Sequence, residues 1–264
     1  MKLARSVRPF AIALFLSAGF WLEAQSAAPP PIHLSAAQDH QRVLEQLHIT
    51  ALRHPVVNNP SSPYAANYDE SKANPYPNLP DPLILNNGRK VTTAKAWWTK
   101  RRPQIVEYFD RDIYGYVPAH MPKVTWHVVS TTRGTEGDVP VVSKNLIGHV
   151  DHSFYPPIRV DIQLSLTTPA DAAGPVPIIM QISSEYHPAS KPAPPEASNW
   201  KHLLLEKGWG YAVLYSATVQ PDNAAGLTEG IIGLVDRGQP RNRPDEWGAI
   251  RAWAWGASRA MDYF

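Results

Sequence analysis

Residues 177–183, PIIMQIS, and residues 211–216, YAVLYS, decide the fold class, because both are short apolar runs that predict strands buried on both faces. Between them, Trp200 to Lys207 has the composition of a helix, and Gly208 is suited to end it. A strand, a helix and a second strand in this order are typical of a parallel βαβ unit. The centre of the chain therefore predicts an α/β protein.

Three longer β segments come before this unit. They run from Lys123 to Thr132, from Val139 to Val150 and from Ile158 to Thr168. The third alternates apolar and polar residues, which is typical of an antiparallel strand with one covered face. Antiparallel strands followed by a parallel unit predict a mixed sheet with helices on its faces, an α/β sandwich. A further helix is expected from Thr92 to Tyr114, divided or kinked by Pro103.

The first 28 residues are interpreted as a secretory signal peptide. Lys2, Arg5 and Arg8 precede an apolar run from Phe10 to Leu22, and an Ala-rich junction follows. An uncleaved membrane anchor is the alternative, but this run of 13 residues is short compared with the roughly twenty apolar residues that span a bilayer. We therefore expect a secreted or periplasmic protein that has no membrane association after cleavage.

Residues 29–90 are predicted to form an extended, Pro-rich N-terminal arm. A short helix from Ser35 to Leu47, capped by Ser35, begins it. Seven prolines from Pro55 to Pro82 then exclude both a helix and a central strand. The tyrosines of the arm indicate that it packs along a surface, and they are Tyr64, Tyr68 and Tyr76. A turn at Asn87–Gly88 precedes the α/β domain, residues 91–264.

Composition excludes several classes of function. The 264 residues include no cysteine, so a disulfide framework, a thiolate metal site and a cysteine nucleophile are all excluded. Without residues 1–28, basic and acidic residues are equal in number, so we expect neither a nucleic acid nor an anionic membrane as a partner. Glycine-rich phosphate loops are absent from the sequence, and no cofactor is expected.

The last segment, DEWGAIRAWAWGASRAMDYF (245–264), predicts a helix that starts near Asp245. Its expected apolar face comprises Trp247, Ile250, Ala254, Ala257, Met261 and Phe264. No capping glycine and no strand follow this helix. The sequence is thus expected to be the first part of a longer chain that stops within a βαβ crossover, and a natural C-terminal helix is the alternative.

Two serine motifs are weak candidates for catalysis. Ser258 lies in a sequence that resembles a G-x-S-x-G nucleophile elbow, but an elbow needs a strand-to-helix turn and Ser258 is expected within a helix. It is interpreted as a small residue that lets the helix pack closely. Ser198 and Lys201 match S-x-x-K without the other motifs of such a site, and Ser198 is expected to cap a helix instead.

The better binding candidates follow the first buried strand. Ser184, Tyr186 and His187 leave its carboxyl end, where open α/β sheets bind ligands, and a solvated loop is the alternative. The segment from His149 to His152 could offer metal ligands, but it lacks a third cluster, so no metal site is expected. Tryptophans at helical spacing are expected in the core rather than stacked on sugars, and they are Trp97, Trp98, Trp247, Trp253 and Trp255.

Several long blocks, in one order, resemble the bacterial glucuronoyl esterases. They include AANYDESKANPYPNLPDPL, RRPQIVEYFDRDIYG, VTWHVVSTT, NLIGHVD, VDIQLSLTTP, KGWGYA, GLTEGIIGLV and EWGAIRAWAWGASRAMDY. The resemblance implies an α/β-hydrolase-type three-layer sandwich with a mixed sheet, of which residues 91–264 are the N-terminal part. One departure is the loop from Ser183 to His187, where many family members are rich in Gly and Phe.

The resemblance further implies a secreted serine-type carboxylic ester hydrolase. Its substrates would be 4-O-methyl-glucuronoyl esters that link glucuronoxylan to lignin alcohols, a polysaccharide or lignin–carbohydrate ester, and it would act as a monomer. The serine, histidine and acidic triad of the family is expected beyond Phe264, so this chain carries no catalytic residue and would be inactive alone. The alternative is a non-catalytic, truncated protein that binds carbohydrate.

Overall fold

The computed structural model describes residues 28–72, 78–184 and 200–264. A five-stranded sheet lies at its centre, in the order β1-β2-β3-β5-β4. The strands are β1 (Val124–Glu136), β2 (Val139–Val150), β3 (Asp161–Pro169), β4 (Ile178–Ser183) and β5 (Gly210–Tyr215). The pairs β1–β2, β2–β3 and β3–β5 are antiparallel, and β4–β5 is parallel. The predicted mixed sheet is therefore confirmed.

Helices surround this sheet. Within the described residues they are α1 (Ala36–Gln46), α2 (Ala94–Ala96), α3 (Arg102–Phe109), α4 (Trp200–Glu206), α5 (Gly230–Val235) and α6 (Ala249–Met261). Two π-helical turns, Trp97–Arg101 and Asp110–Tyr114, flank α3, so helical backbone extends from Ala94 to Tyr114. Pro103 is the second residue of α3 and directly follows the π-helical turn Trp97–Arg101 and Arg102. The helical backbone continues through Pro103, so the chain is not split there, and the change from the π-helical turn to α3 comes just before this proline.

Alternate side chains of β5 enter two different cores, which defines three layers. Ala212 and Leu214 belong to the larger cluster, together with Ile231 of α5 and Ala252 of α6. Tyr211 and Val213 point the other way and pack with Leu205 of α4. Because successive residues of a strand face opposite sides of the sheet, α4 covers one face, and α5 and α6 cover the other. This arrangement is the predicted α/β sandwich.

The start of the N-terminal arm is attached to the sandwich. The Tyr155 hydroxyl donates a hydrogen bond to the Pro29 carbonyl over 2.6 Å, and the Ile32 N–H donates to Gly238 over 2.9 Å. The helix predicted next is confirmed, since the Ser35 hydroxyl accepts a hydrogen bond from the Gln38 N–H and caps α1. Pro29 and Ile32 thus attach the start of the arm to Tyr155 and to Gly238, which follows α5.

The expected packing of the arm's tyrosines is wrong for Tyr68, whose side chain is 85% exposed. Tyr64 stacks on His54 at a ring distance of 4.3 Å but is itself largely exposed. Tyr76 lies outside the described residues. Apart from the 3₁₀ turn Glu70–Lys72, the described Pro-rich stretch has no helix or multi-residue strand, because proline cannot donate a backbone hydrogen bond.

The apolar face predicted for the last helix is wrong for most of its members. The buried residues of α6 are Ala252, Trp255, Gly256 and Ala260. Ile250 and Met261 are instead 62% and 66% exposed, and Trp247 is buried although it precedes the helix. The helix has apolar residues on two faces, so hydrophobic periodicity alone could not choose the face that packs on the sheet.

Close approach of backbone decides which face of α6 is buried. A Cβ atom built on Gly256 would lie 2.6 Å from Cγ2 of Val219, which is completely buried. Only glycine therefore allows the helix to contact Val219 at this distance. Ser258, interpreted above as the small residue that permits close packing, is exposed on the opposite side. Gly256 has that role instead.

Burial of β4 on both faces was expected and is not observed. Gly210 to Leu214 of β5 are all buried, but Ile179 and Ile182 of β4 are 44% and 49% exposed. The strand β5 lies between β3 and β4, whereas β4 pairs only with β5 among the described residues. A strand becomes buried when other strands and helices pack against it. The apolar sequence of β4 does not show whether such neighbours are present.

None of the helices among the described residues is long and apolar enough to cross a lipid bilayer. The predicted signal peptide lies almost entirely outside the described residues, which begin at Ala28.

Candidate functional site

The carboxyl ends of the parallel strands β4 and β5 lie side by side. Ser183 is paired with Tyr215 at the last position of the ladder. Beyond these residues, β4 continues into Ser184, and β5 continues into a 3₁₀ turn, Ser216–Thr218. Polar residues therefore follow both apolar strands at one edge of the sheet. This edge is where open α/β sheets place their ligands.

Hydrogen bonds hold the two strand ends in a fixed relation. The Ser216 hydroxyl, which is buried, donates to the Ser183 carbonyl over 3.2 Å. The Thr218 hydroxyl donates to the Tyr215 carbonyl over 2.6 Å and accepts from the Gln163 N–H over 3.0 Å. Since these hydroxyls join β3, β4 and β5, they keep the loop that leaves β4 at a defined starting position.

Ser184, the first of the predicted binding residues, is exposed at this edge. The other two, Tyr186 and His187, lie outside the described residues. The sequence did not single out Ser216 and Thr218, although both follow directly after an apolar strand. A search for polar residues at the end of every buried strand would have found them.

A cavity of about 450 Å³ lies beside the turn that follows β5. Its charged and polar lining includes His33, Arg159, Thr218 and Glu229. Arg159 and Val160 immediately precede β3, and Glu229 precedes α5. The recess thus presents both hydrogen-bond donors and acceptors close to the carboxyl end of β5.

Large apolar side chains are exposed on β4 and on the outer side of α6. On β4 they include Ile179 and Ile182, and on the outer side of α6 they include Ile250 and Met261. Phe264 is also 46% exposed. We call these five residues the uncovered surface. The two on β4 lie on a strand with an open edge among the described residues, and another polypeptide segment typically covers such an edge.

Comparisons with known proteins agree with this architecture. No protein-family model matches the chain. Carbohydrate esterase MZ0003, from an unknown prokaryotic organism, is 27% identical over 233 residues, which cover 77% of this chain and 52% of that protein.

Two solved structures extend the comparison to the fold. A CE15 glucuronoyl esterase from Teredinibacter turnerae T7901 has a TM-score of 0.75 and 33% identity over 87% of this chain and 57% of its own. A glucuronoyl esterase from Solibacter usitatus has a TM-score of 0.60 and 34% identity over 74% of this chain and 55% of its own. This chain is a relative of the glucuronoyl esterases. It spans little more than half the length of the relatives it matches.

The relationship to glucuronoyl esterases confirms the predicted α/β-hydrolase-type sandwich. In such hydrolases a backbone N–H of the oxyanion hole comes from a loop that leaves a central strand, and the nucleophile lies on a sharp turn after the next strand along the edge. In this glucuronoyl esterase relative, Ser184 directly follows β4, the last strand of the described sheet.

Ser258 does not have the setting of a nucleophile. It lies in the third turn of α6, it is exposed, and its hydroxyl contacts the Arg259 guanidinium at 3.4 Å. A nucleophile elbow would hold the serine on a strained turn between a strand and a helix. The sequence predicted that Ser258 is not a nucleophile, and its position within a helix agrees with that prediction.

The residues from His149 to His152 do not converge on a metal site. His149 Nδ1 lies 2.5 Å from a carboxylate oxygen of Asp161, and Asp161 also pairs with Arg159. Asp151 instead accepts a hydrogen bond from the backbone of Ser153, two residues along the chain. Among the described residues, a different group brings three metal-ligand side chains together: Asp138, His202 and Glu206.

The tryptophans mostly follow the expectation that they belong to the core. Trp247 and Trp255 are buried, and the Trp253 indole donates a hydrogen bond to the Gln220 carbonyl over 2.8 Å. Trp98 differs, because it is 64% exposed and lies beneath the Arg102 guanidinium. A bulky side chain on a surface helix needs no core partner when a cation covers part of its ring.

Proposed function

We propose that the protein is a serine-type carboxylic ester hydrolase that acts on 4-O-methyl-glucuronoyl esters linking glucuronoxylan to lignin alcohols. The related proteins named carbohydrate esterase and glucuronoyl esterase support this proposal. One structural observation carries it: β4 is an open parallel strand whose carboxyl end begins the loop at Ser184. That is the position beside which a hydrolase of this type holds its nucleophile.

The next strand of such a hydrolase would pair with the open edge of β4. The chain passes from β5 to the helix α6, which packs on the face of the sheet opposite α4. A right-handed crossover from β5 over this face delivers the following strand parallel to β4. Because this chain covers only 57% of the Teredinibacter turnerae protein, we propose that sequence beyond Phe264 supplies this strand and a G-x-S-R-x-G elbow.

The chemistry of ester hydrolysis indicates which groups the chain up to Phe264 would supply and which groups the sequence beyond it would supply. The reaction needs a serine activated by a histidine, an acidic residue that orients the histidine, and donors for the oxyanion. We assign the triad to the sequence beyond Phe264. The described chain supplies the rigid sheet, the fixed ends of β4 and β5, and the start of the loop that borders the oxyanion.

The proposed location is outside the cytoplasm, either secreted or periplasmic, where a polymeric substrate is accessible. The basic leader, the short apolar run and the Ala-rich junction before Pro29 support export. N-terminal analysis of exported protein should show a first residue between about 25 and 30. Exported protein that retains Met1 would contradict this part of the proposal. We further propose that the exported enzyme acts as a monomer.

The test of the activity compares two lengths of the same protein. The gene is recovered beyond the codon for Phe264, and the 264-residue chain and the longer protein are assayed on a benzyl ester of glucuronic acid. We expect hydrolysis only by the longer protein, with the rate reduced by about four orders of magnitude or more when the elbow serine is replaced by alanine.

Ser258→Ala is the matched control, because it removes a serine hydroxyl from the same helical region without touching the proposed nucleophile. It should leave the rate of the longer protein unchanged. Clear activity of the 264-residue chain that disappears with Ser258→Ala would overturn the assignment. A folded longer protein that binds xylan but hydrolyses no glucuronate ester would instead favour the non-catalytic alternative.

A further inference from the structure

Three side chains with metal-binding groups meet where the β1–β2 hairpin contacts α4. Asp138 lies in the turn of the hairpin, and His202 and Glu206 are one helical turn apart on α4. His202 Nε2 is 3.6 Å from Asp138 Oδ1 and 3.3 Å from Glu206 Oε1. The Tyr211 hydroxyl, at the amino end of β5, donates to Glu136 beside this turn. The group is therefore at the opposite end of β5 from the candidate functional site.

The position of the histidine proton can be deduced from its neighbours. His202 Nδ1 lies 3.2 Å from the Glu136 carbonyl oxygen, which can only accept a hydrogen bond. Nδ1 therefore carries a proton. In a neutral ring Nε2 then has a lone pair, and this lone pair would face two carboxylate groups that also only accept. A metal ion bound by Nε2 and the two carboxylates would satisfy all three groups.

The local charge favours a cation with more than one positive charge. Among the described residues, neither Asp138 nor Glu206 pairs with a lysine or an arginine. Glu206 is also the last residue of α4, where the helix end carries a partial negative charge of its own. Two carboxylates and a helix carboxyl end thus surround a single imidazole.

Two of the three spacings between ligand atoms fit a tetrahedral zinc site, and all three lie within 4.8 Å. Zinc binds histidine nitrogen and carboxylate oxygen at about 2.0–2.2 Å, so neighbouring ligand atoms of a tetrahedral site lie about 3.3–3.5 Å apart. The two distances from His202 Nε2, 3.3 and 3.6 Å, are close to this value. The contact of Nδ1 with a backbone carbonyl is the usual second interaction of a zinc-binding histidine.

The hairpin turn is shaped to approach the histidine ring. Gly137 has a positive φ of 63°, and a Cβ atom built on it would lie 2.6 Å from Cε1 of His202. Glycine is needed here both for the backbone conformation and for the contact. The imidazole, which is 24% exposed, is thereby held in one place while Asp138, at 88%, reaches it from solvent.

We propose that Asp138, His202 and Glu206 bind one zinc-like divalent transition-metal ion, with a water molecule as the fourth ligand. The ion joins the β1–β2 hairpin to α4 and stabilises the face of the sheet that α4 covers. Its role is structural, and it is independent of the esterase function proposed above.

Titration calorimetry with ZnCl₂ alone tests this site on the purified, tag-free chain after treatment with a chelator. We expect binding of one equivalent and a rise in melting temperature that saturates at the same ratio. Asp138→Asn and His202→Gln should each weaken binding by at least about tenfold, because each removes a ligand. Asp138 is exposed, so Asp138→Asn keeps the fold, which circular dichroism can verify.

Asp171→Asn and His149→Gln are the matched controls, since they remove the same groups from exposed or half-exposed positions outside this cluster. Both should bind zinc as the parent chain does. The proposal is overturned if the parent chain binds no zinc. It is also overturned if zinc binding survives both Asp138→Asn and His202→Gln, or if His149→Gln removes it.

Discussion

The strands β4 and β5 are both six residues long, both are rich in apolar residues, and they are paired in parallel, yet their surroundings differ. The first five residues of β5 are buried, whereas Ile179 and Ile182 of β4 are about half exposed. The difference lies in their neighbours, because β5 is flanked by β3 and β4. An apolar strand without its second neighbour indicates where a further strand would add to the sheet.

The largest expected effect on stability is the difference between shortening a side chain in β5 and shortening one in β4. Leu214→Ala in β5 removes a completely buried side chain and should lower the free energy of unfolding by about 2–5 kcal/mol. Ile179→Ala in β4 removes a side chain that is 44% exposed and should cost about 1 kcal/mol. Urea denaturation of the purified chain measures both. Equal losses of unfolding free energy in the two variants would show that β4 is covered in solution. That result would contradict the difference in burial between β4 and β5.

The same comparison applies to the two faces of α6. Gly256→Val places side-chain atoms against the buried Val219 and should lower the free energy of unfolding by about 1–3 kcal/mol. Ala254→Val introduces the same side chain on the exposed face, where only the lower helix propensity of valine, below about 0.7 kcal/mol, should count. If Ala254→Val were the more damaging of the two, the assignment of the buried face would be wrong.

Two aspartates, one partly buried and one exposed, have pKa shifts in opposite directions. Burial, with a smaller contribution from Glu246, raises the pKa of Asp236 to about 6. Because the folded pKa is higher than that of an unfolded aspartate, the associated stability is full below about pH 4 and is lost as the pH rises through about 6. Asp236→Asn should therefore increase the free energy of unfolding at pH 7.5 by about 1 kcal/mol, after allowance for solvent screening.

Denaturation at pH 4 and pH 7.5 provides the measurement, and Asp151→Asn provides the control. The Ser153 backbone N–H holds the pKa of Asp151 below its usual range, so this carboxylate stabilises the fold at neutral pH and loses that effect as the pH falls. Asp151→Asn should give no gain at pH 7.5. An equal gain in both variants would mean that burial is not the cause of the shift at Asp236.

The smallest expected effect on stability concerns the uncovered surface. Met261→Lys changes a side chain that is 66% exposed and should alter the free energy of unfolding by less than about 0.5 kcal/mol. It should nevertheless reduce self-association, which light scattering detects, because it places a charge within an exposed apolar surface. A large loss of stability would show that Met261 is buried in solution.

Local sequence patterns predicted most of the elements. The β2 boundaries, Val139 and Val150, agree with the prediction, and Ser35 caps α1 as expected. These features depend on alternation and on side chains that act within three or four residues. The mixed sheet was also predicted, because antiparallel strand patterns precede one parallel βαβ unit in the sequence.

The errors occurred where distant residues decide. The buried face of α6 depends on the contact of Gly256 with Val219, which lies 37 positions earlier in the sequence. The exposure of β4 depends on whether a second strand pairs with it, and the apolar sequence of β4 does not indicate this. The group formed by Asp138, His202 and Glu206 was missed because the hairpin and α4 are brought together only by folding. Only the spacing of His202 and Glu206, one helical turn, was visible in the sequence.

The central claim is that β4 receives the strand that carries the nucleophile in the complete enzyme. Hydrogen–deuterium exchange, compared between the 264-residue chain and the longer protein, tests it most directly. We expect the amides of β4 to exchange more slowly in the longer protein, because alternate N–H groups gain partners on the open side, while the amides of β5 change little. Unchanged exchange in β4, in a longer protein that hydrolyses glucuronate esters, would contradict the claim.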